Sequence, residues 1–192
     1  MFRIKNSSDA FTGLEAAIVL IAFVVVAAVF SYVVLGAGFF TTQKSQETVY
    51  RGIEQATSNL QMIGNVYGTA TTPASGINQL QFNLGLAPGA QAIDLTKMII
   101  VVSQPGTATV TELTYTTATT PTSTSFAVLN ASESGSTLGT LSGQTMAIVL
   151  VKISPELQKN NVINLQLNPP VGASLPISRT APSTIASSQI LY

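Results

Sequence analysis

Few side chains in this sequence could carry out acid–base or metal chemistry. The 192 residues include no cysteine and no histidine, and equal numbers of acidic and basic residues give a formal net charge of zero. The sequence therefore excludes disulfides, thiolate nucleophiles and histidine ligands or bases. It contains no GxSxG, Ser-x-x-Lys or phosphate-loop motif, and zero net charge gives no electrostatic footprint for nucleic acid. We expect no catalytic residues, no metal site, no cofactor and no nucleic-acid partner.

The carboxylate with the most unusual surroundings is that of Glu15. It lies at the start of an apolar segment, and no charged residue occurs from Ala16 through Gln43. About 20 apolar residues span a bilayer, so this segment has membrane length. Apolar residues recur at helical spacing beyond it, which predicts one continuous helix from about Phe11 to about Met62. Because the first half is apolar on every face, lipid or other copies of the helix must surround it.

The composition changes after Gly64. Apolar runs alternate with Gly, Pro, Asn and Ser, which predicts strands joined by turns. Between two runs, Ser154–Asn161 could be a helical turn or a loop, and the last residues, Ser187–Tyr192, are expected to form a strand. The predicted fold class is α+β: a long N-terminal hydrophobic α-helix followed by an antiparallel, immunoglobulin-like β-sandwich or barrel. The predicted strands are Met98–Gln104, Thr109–Thr117, Ser125–Asn130, Thr145–Ser154 and Val162–Asn168.

Two simpler interpretations of the N-terminus are open. A secretory signal peptide also combines basic residues, here Arg3 and Lys5, with an apolar run, but this run is too long and continues into an amphipathic helix. A single-pass membrane anchor fits the apolar run. It does not explain why the helix continues beyond the membrane, or why Glu15 is present.

Three stretches resemble one family. The short charged leader, Ala10 and the stretch FTGLE (Phe11–Glu15) are similar to the type III signal of type IV pilins and archaellins. The stretch VVLGAGFFTTQKSQET (Val33–Thr48) looks like the archaellin region where the apolar helix turns polar, and LNPPVGASLPISRTAPSTI (Leu167–Ile185) looks like the archaellin ending. The chain thus resembles the archaellin, or archaeal flagellin, family within the type IV pilin-like superfamily.

The resemblance implies three parts. Residues 1–10 would be a leader, removed by a prepilin-type peptidase that cuts between Ala10 and Phe11. Residues 11–64 would be a membrane anchor that becomes the filament core, and residues 65–192 a surface-exposed β-rich head. In a helix bundle the new α-amino group of Phe11 would need an anionic partner, which Glu15 supplies. Small residues that permit close helix approach complete the predicted assembly set: Ala16, Ala17, Ala22, Ala27, Ala28 and Ser31.

The function implied by the resemblance is that of a structural subunit, not an enzyme. The subunit would polymerise, alone or with related subunits, into an extracellular archaellum filament for swimming. Its other expected partners are the cytoplasmic membrane before assembly, the peptidase, and the archaellum motor and assembly platform. Asn130 begins an Asn-Ala-Ser sequon and is a predicted glycosylation site. The alternatives are an adhesive type IV-like pilin and a monomeric, membrane-anchored β-sandwich surface protein.

Overall fold

The structure, a computed structural model, describes residues 7–133, 135–143 and 145–192, with side chains from Gly13 onward. The helix α1 runs from Ser7 to Thr57. No proline precedes Pro73 in the sequence, so no backbone donor is missing from α1. The chain divides into two compact units, one ending at Tyr50 and the other beginning at Arg51. The first unit is helical, and the second contains the strands.

The second unit, the head, contains the last residues of α1, the strands with their short connections, and a 3₁₀ turn at Leu95–Lys97. In chain order the strands are β1 (Leu60–Thr69), β2 (Ile77–Leu86), β3 (Ile93–Asp94), β4 (Ile99–Gln104), β5 (Thr109–Thr116), β6 (Ser125–Asn130), β7 (Thr140–Leu141), β8 (Ala147–Leu157), β9 (Val162–Asn168), β10 (Leu175–Thr180) and β11 (Ser188–Leu191).

Nine of these strands form one sheet in the order β10-β9-β4-β5-β6-β8-β2-β1-β11, while β3 pairs with β7. Neighbours pair antiparallel except β5 and β6, which are parallel. The two ends of the sheet meet at two backbone hydrogen bonds. Thr180 N–H donates to the Tyr192 carbonyl at 2.6 Å, and Tyr192 N–H donates to the Thr180 carbonyl at 3.3 Å. The sheet therefore curls around a core, which confirms the predicted sandwich or barrel.

The core consists of the inward-facing residues of the strands, which alternate with outward-facing residues along a strand. In β9, for example, Ile163, Leu165 and Leu167 are buried while the residues between them face outward. The largest fully buried side chains include Phe82 and Phe126. Each such side chain contributes roughly 1.5–3 kcal/mol through removal from water. The head thus has an apolar interior of its own.

The structure confirms the fold class and the five predicted strands, with ends shifted by a few residues, and the strand at the C-terminus. The prediction for Ser154–Asn161 is wrong in its first half. β8 continues through Leu157, and only the last part turns, with Asn161 N–H donating to the Gln158 carbonyl at 3.2 Å. Pairing with β2, where Ile77 lies opposite Leu157, extends the strand.

The predicted helix end near Met62, and with it the predicted boundary after Gly64, is also wrong. The helix ends at Thr57, and β1 already begins at Leu60. Leu60 is buried and lies opposite Leu86, so pairing with β2 overrides the helical spacing of the apolar residues. Gly64, with φ of +84°, lies in the irregularity where the β1–β2 register shifts, not at a helix end.

The start of the head is held by a close backbone contact. The Asn59 carbonyl accepts from Ala87 N–H at 3.2 Å, and Asn59 forms a parallel bridge with Ala173. A Cβ atom on Gly172 would lie 1.6 Å from the Ser58 carbonyl oxygen, and this glycine has φ of +99°. Only glycine allows both the backbone conformation and the approach.

Candidate assembly surface

The first functional feature is an apolar surface that the chain does not cover. Every helix residue from Gly13 to Gln46 is solvent-exposed, including Phe23 at 72% and Tyr32 at 79%. Among the described residues this helix is the one segment long and apolar enough to cross a membrane. Exposed apolar surface of this extent marks contact with a membrane or with other protein.

The polar half of the helix begins where the apolar surface ends. The Thr41 and Thr42 hydroxyls donate to the carbonyls four residues earlier, at 2.8 and 2.9 Å. These hydroxyls are therefore satisfied within the helix and can lie against an apolar neighbour at little cost. Lys44 then pairs with Glu47 at 2.6 Å on the exposed surface. The uncharged part of the helix therefore ends at Gln43.

Most of the predicted small residues share one side of the helix. At about 100° per residue, five of them fall within about one third of the circumference. Ala22 falls on the opposite side and does not belong to this stripe. The five residues of the stripe are Ala16, Ala17, Ala27, Ala28 and Ser31.

A groove continues this stripe toward the polar half. Ser31 and Gly38 line its centre and Phe30 and Phe39 its edges; it is open to solvent and has a volume of about 570 Å³. The sequence prediction missed Gly38. Its spacing of about two turns from Ser31 was a usable signal, since that spacing places both residues on one face. A groove of this kind accepts a bulky side chain from an adjacent helix.

The predicted processing site lies in the helical backbone. Ala10 and Phe11 fall within α1, and their side chains lie outside the described residues. Glu15 is exposed, and the described part of the chain gives its carboxylate no ion pair or hydrogen bond. Its pairing with the Phe11 amine requires a cleaved chain and stays a prediction.

Asn130 ends strand β6, and its side-chain oxygen accepts from Ser132 N–H at 3.0 Å. The sequon is therefore turned at the end of a strand, with Asn130 partly exposed. Glycosylation there is likewise a prediction.

Elsewhere the described residues offer no group of acidic residues that could hold a metal ion. Asp94 has a local role, because it caps the 3₁₀ turn. Its carboxylate accepts from the Thr96 hydroxyl and from Thr96 N–H, and it lies 2.9 Å from Lys97 Nζ. The hydrogen bond from Thr96, followed by that from Lys97, holds the pKa of Asp94 below its ordinary value.

An exposed apolar helix joined to a β head with its own core defines a class of structural protein, one whose helix is covered only by a membrane or by assembly. Comparison with known proteins identifies the family. Residues 10–179 match the archaeal-type flagellin family. The chain belongs to this family.

Similar proteins cover nearly the whole chain. Probable flagellin 1 of Archaeoglobus fulgidus is 40% identical over 204 residues, covering 98% of each chain. The archaeal flagellum of Methanospirillum hungatei strain JF1 is similar in structure, with a TM-score of 0.74, 36% identity, and coverage of 94% of this chain and 99% of that one. Flagellin FlaB1 of Methanocaldococcus jannaschii shares the fold, with a TM-score of 0.58 and 22% identity over 70% of this chain and 96% of its own.

These similarities confirm the resemblance to archaellins. The chain is a structural filament subunit for swimming motility, located in an extracellular surface filament, and not an enzyme. Neither the adhesive pilin nor the monomeric anchored protein is favoured.

Proposed function

We propose that α1 serves in turn as a membrane anchor and as the core of a filament of identical subunits. The observation that carries this proposal is the helix surface from Gly13 to Gln46, which is exposed throughout and uncharged between Glu15 and Lys44. A bilayer covers such a surface, and so does a bundle of the same helices.

Assembly then depends on packing rather than on the hydrophobic effect alone. Lipid tails are as apolar as leucine, so leaving the membrane gains nothing unless the helices fit together better than they fit lipid. The small-residue stripe and the groove between Phe30 and Phe39 offer that fit. When one surface of a subunit contacts a different surface of the next subunit, the contact repeats and generates an open helical polymer.

The processing step belongs to the same proposal. A membrane peptidase of the prepilin type cuts between Ala10 and Phe11, and the new amine pairs with Glu15 of the same or a neighbouring subunit. The motor and assembly platform of the archaellum then receive the processed subunit, and Asn130 carries a glycan on the head.

The experiment is mass spectrometry of N-terminal peptides from filaments sheared off producing cells. We expect the subunits to begin at Phe11, and peptides covering Asn130 to carry added mass. Filaments whose subunits retain Met1 would refute the cleavage, and unmodified Asn130 peptides would refute the glycosylation site.

A further inference from the structure

Beyond α1, the large apolar side chains that are exposed on the head lie on two outer faces of its sheet. One, the β9 face, consists of the outward residues of β10, β9, β4 and β5. The other, the β2 face, consists of the outward residues of β8, β2, β1 and β11 with Tyr192. Ile99, Val110 and Val162 lie on the β9 face, and Ile63, Tyr67, Ile190 and Tyr192 lie on the β2 face.

The β9 face has a central row of neutral amides. Asn164, Gln166 and Asn168 alternate with buried residues along β9. Asn164 accepts from the Ser178 hydroxyl at 2.7 Å, and Gln166 donates to Asn168 at 3.2 Å. A groove of about 380 Å³ lies over Asn164 and Gln166 of this row, bordered by Val101 of β4. The amides thus have partial hydrogen bonding and free capacity to bond a neighbour.

The β2 face has a matching central row. Gln79, Gln81 and Asn83 alternate with buried residues along β2. Tyr67 lies directly opposite both Gln81 and Ile190, so an aromatic and an aliphatic side chain form an exposed ridge beside the amides. Exposed tyrosine and few charges are features that are enriched at the core of protein interfaces.

Each face has a charged residue at its border, and these two residues have opposite signs; the end of β8 on the β2 face also carries the half-buried Glu156. Glu112 lies opposite Val101 at the β5 border of the β9 face, and Lys152 lies opposite Gln79 at the β8 border of the β2 face. Both are exposed, and within the described residues neither has an ion-pair partner. Glu112 and Lys152 thus offer one pair of opposite charges between the two faces.

We propose that the β9 face of one subunit docks on the β2 face of a second copy, with Glu112 of one subunit beside Lys152 of the next. This inference rests on the proposed function, since it assigns the contact between heads in the filament. The two faces differ, so the contact is heterologous and repeats along an open polymer. The opposite charges of Glu112 and Lys152 are the observation that favours a copy of the same chain as the occupant.

Cross-linking in mixed filaments tests the contact, since the natural chain contains no cysteine. Cells co-express the full chain carrying Glu112→Cys with the full chain carrying Lys152→Cys, and sheared filaments are treated with a short bismaleimide. Each chain has one thiol, so a dimer can form only between subunits. The matched control replaces Lys152→Cys by Lys159→Cys, an exposed lysine in the β8–β9 turn outside both faces.

We expect several-fold more dimer from the Glu112→Cys and Lys152→Cys mixture than from the control mixture or from either variant alone. Normal filaments with dimer only at the control level would overturn the docking and leave the proposed function intact. Equal cross-linking within filaments of a single variant would overturn it in favour of a contact between like faces. A natural chain that forms no filaments would refute the proposed function as well.

Charge reversal provides a second measurement if the cysteine variants do not assemble. Glu112→Lys and Lys152→Glu should each lower filament yield several-fold, and the double reversal should restore it, while Lys159→Glu changes little. A double reversal no better than the single variants would overturn the pairing.

Discussion

The helix and the head are both rich in apolar residues, but the helix exposes them whereas the head buries its core residues. Phe23 of the helix is 72% exposed, whereas Phe82 of the head is fully buried. The head buries its core apolar residues on folding, because period-two alternation directs them to one side of a curled sheet. The first half of the helix has no polar side. Folding alone therefore buries the core of the head, whereas the apolar surface of the helix is buried only by a membrane or by other subunits.

The largest effect that separates the two regions is expected for a charge in the middle of the helix. Val26→Lys would place an ammonium group in a dry bundle without a counter-ion, at about 3 kcal/mol in each subunit by membrane-insertion scales. We expect no filaments, observed by electron microscopy of sheared cell surfaces. Val26→Leu is the control, costing about 1–3 kcal/mol of local overpacking. Abundant Val26→Lys filaments would show that this position is not in a dry core.

A pair of identical substitutions sharpens the comparison. Phe82→Ala should lower the stability of the head by about 3–5 kcal/mol because it leaves a cavity in the core. Phe23→Ala should leave the melting temperature of the head unchanged and reduce only filament stability. Circular dichroism melting of both full-length variants in detergent measures the first effect. A head destabilised by Phe23→Ala would mean that the helix is part of the head's core.

How far the sequence predicts this molecule differs between the regions. The uncharged run after Glu15 predicts the helix from composition alone, and alternation in β9 predicts its strand. β1 could not be predicted in the same way, because Leu60 and Ile63 are three residues apart, which is a helical spacing. Its conformation is decided by pairing with Leu86, a residue distant in sequence.

The same limit applies to the functional surfaces. The small residues of the helix could be predicted from the sequence, although only their angular positions separate Ala22 from the other five. The two outer faces of the head could not be predicted from the sequence. Gln79 and Asn164 are ordinary polar residues until the sheet order places each in a row beside exposed apolar neighbours. Sheet order is a tertiary property that alternation within one strand does not specify.

A moderate effect is expected at the N-terminal end of the helix. Glu15→Ala should leave membrane insertion intact, because it removes a charge from the border of an apolar segment. It should weaken assembly by about 1–3 kcal/mol per subunit, since the buried Phe11 amine loses its acceptor. Filament yield and thermal disassembly measure this effect, and Glu15→Asp, which retains the charge, is the control. Filaments of normal yield and stability in Glu15→Ala would exclude the pairing.

The smallest effect concerns the head in acid. Because the pKa of Asp94 is lowered in the folded state, its contribution to stability is present above 3.8, the ordinary value, and is lost as pH falls through the lower folded value. We expect Asp94→Asn to lower the melting temperature slightly at neutral pH and to match the unsubstituted head below that range. The carboxylate is exposed, so the difference should be small. A constant difference across the acid range would exclude the linkage.

The claim that the core of the head forms without the apolar helix is tested most directly by thermal melting of the head alone. A chain beginning at Arg51, where the second compact unit starts, retains β1 and the Ser58–Gly172 contact but lacks the apolar helix. We predict a soluble monomer with a β-sheet circular dichroism spectrum and one cooperative unfolding transition. A chain that shows no cooperative transition, and regains one only when the helix is restored, would contradict this claim.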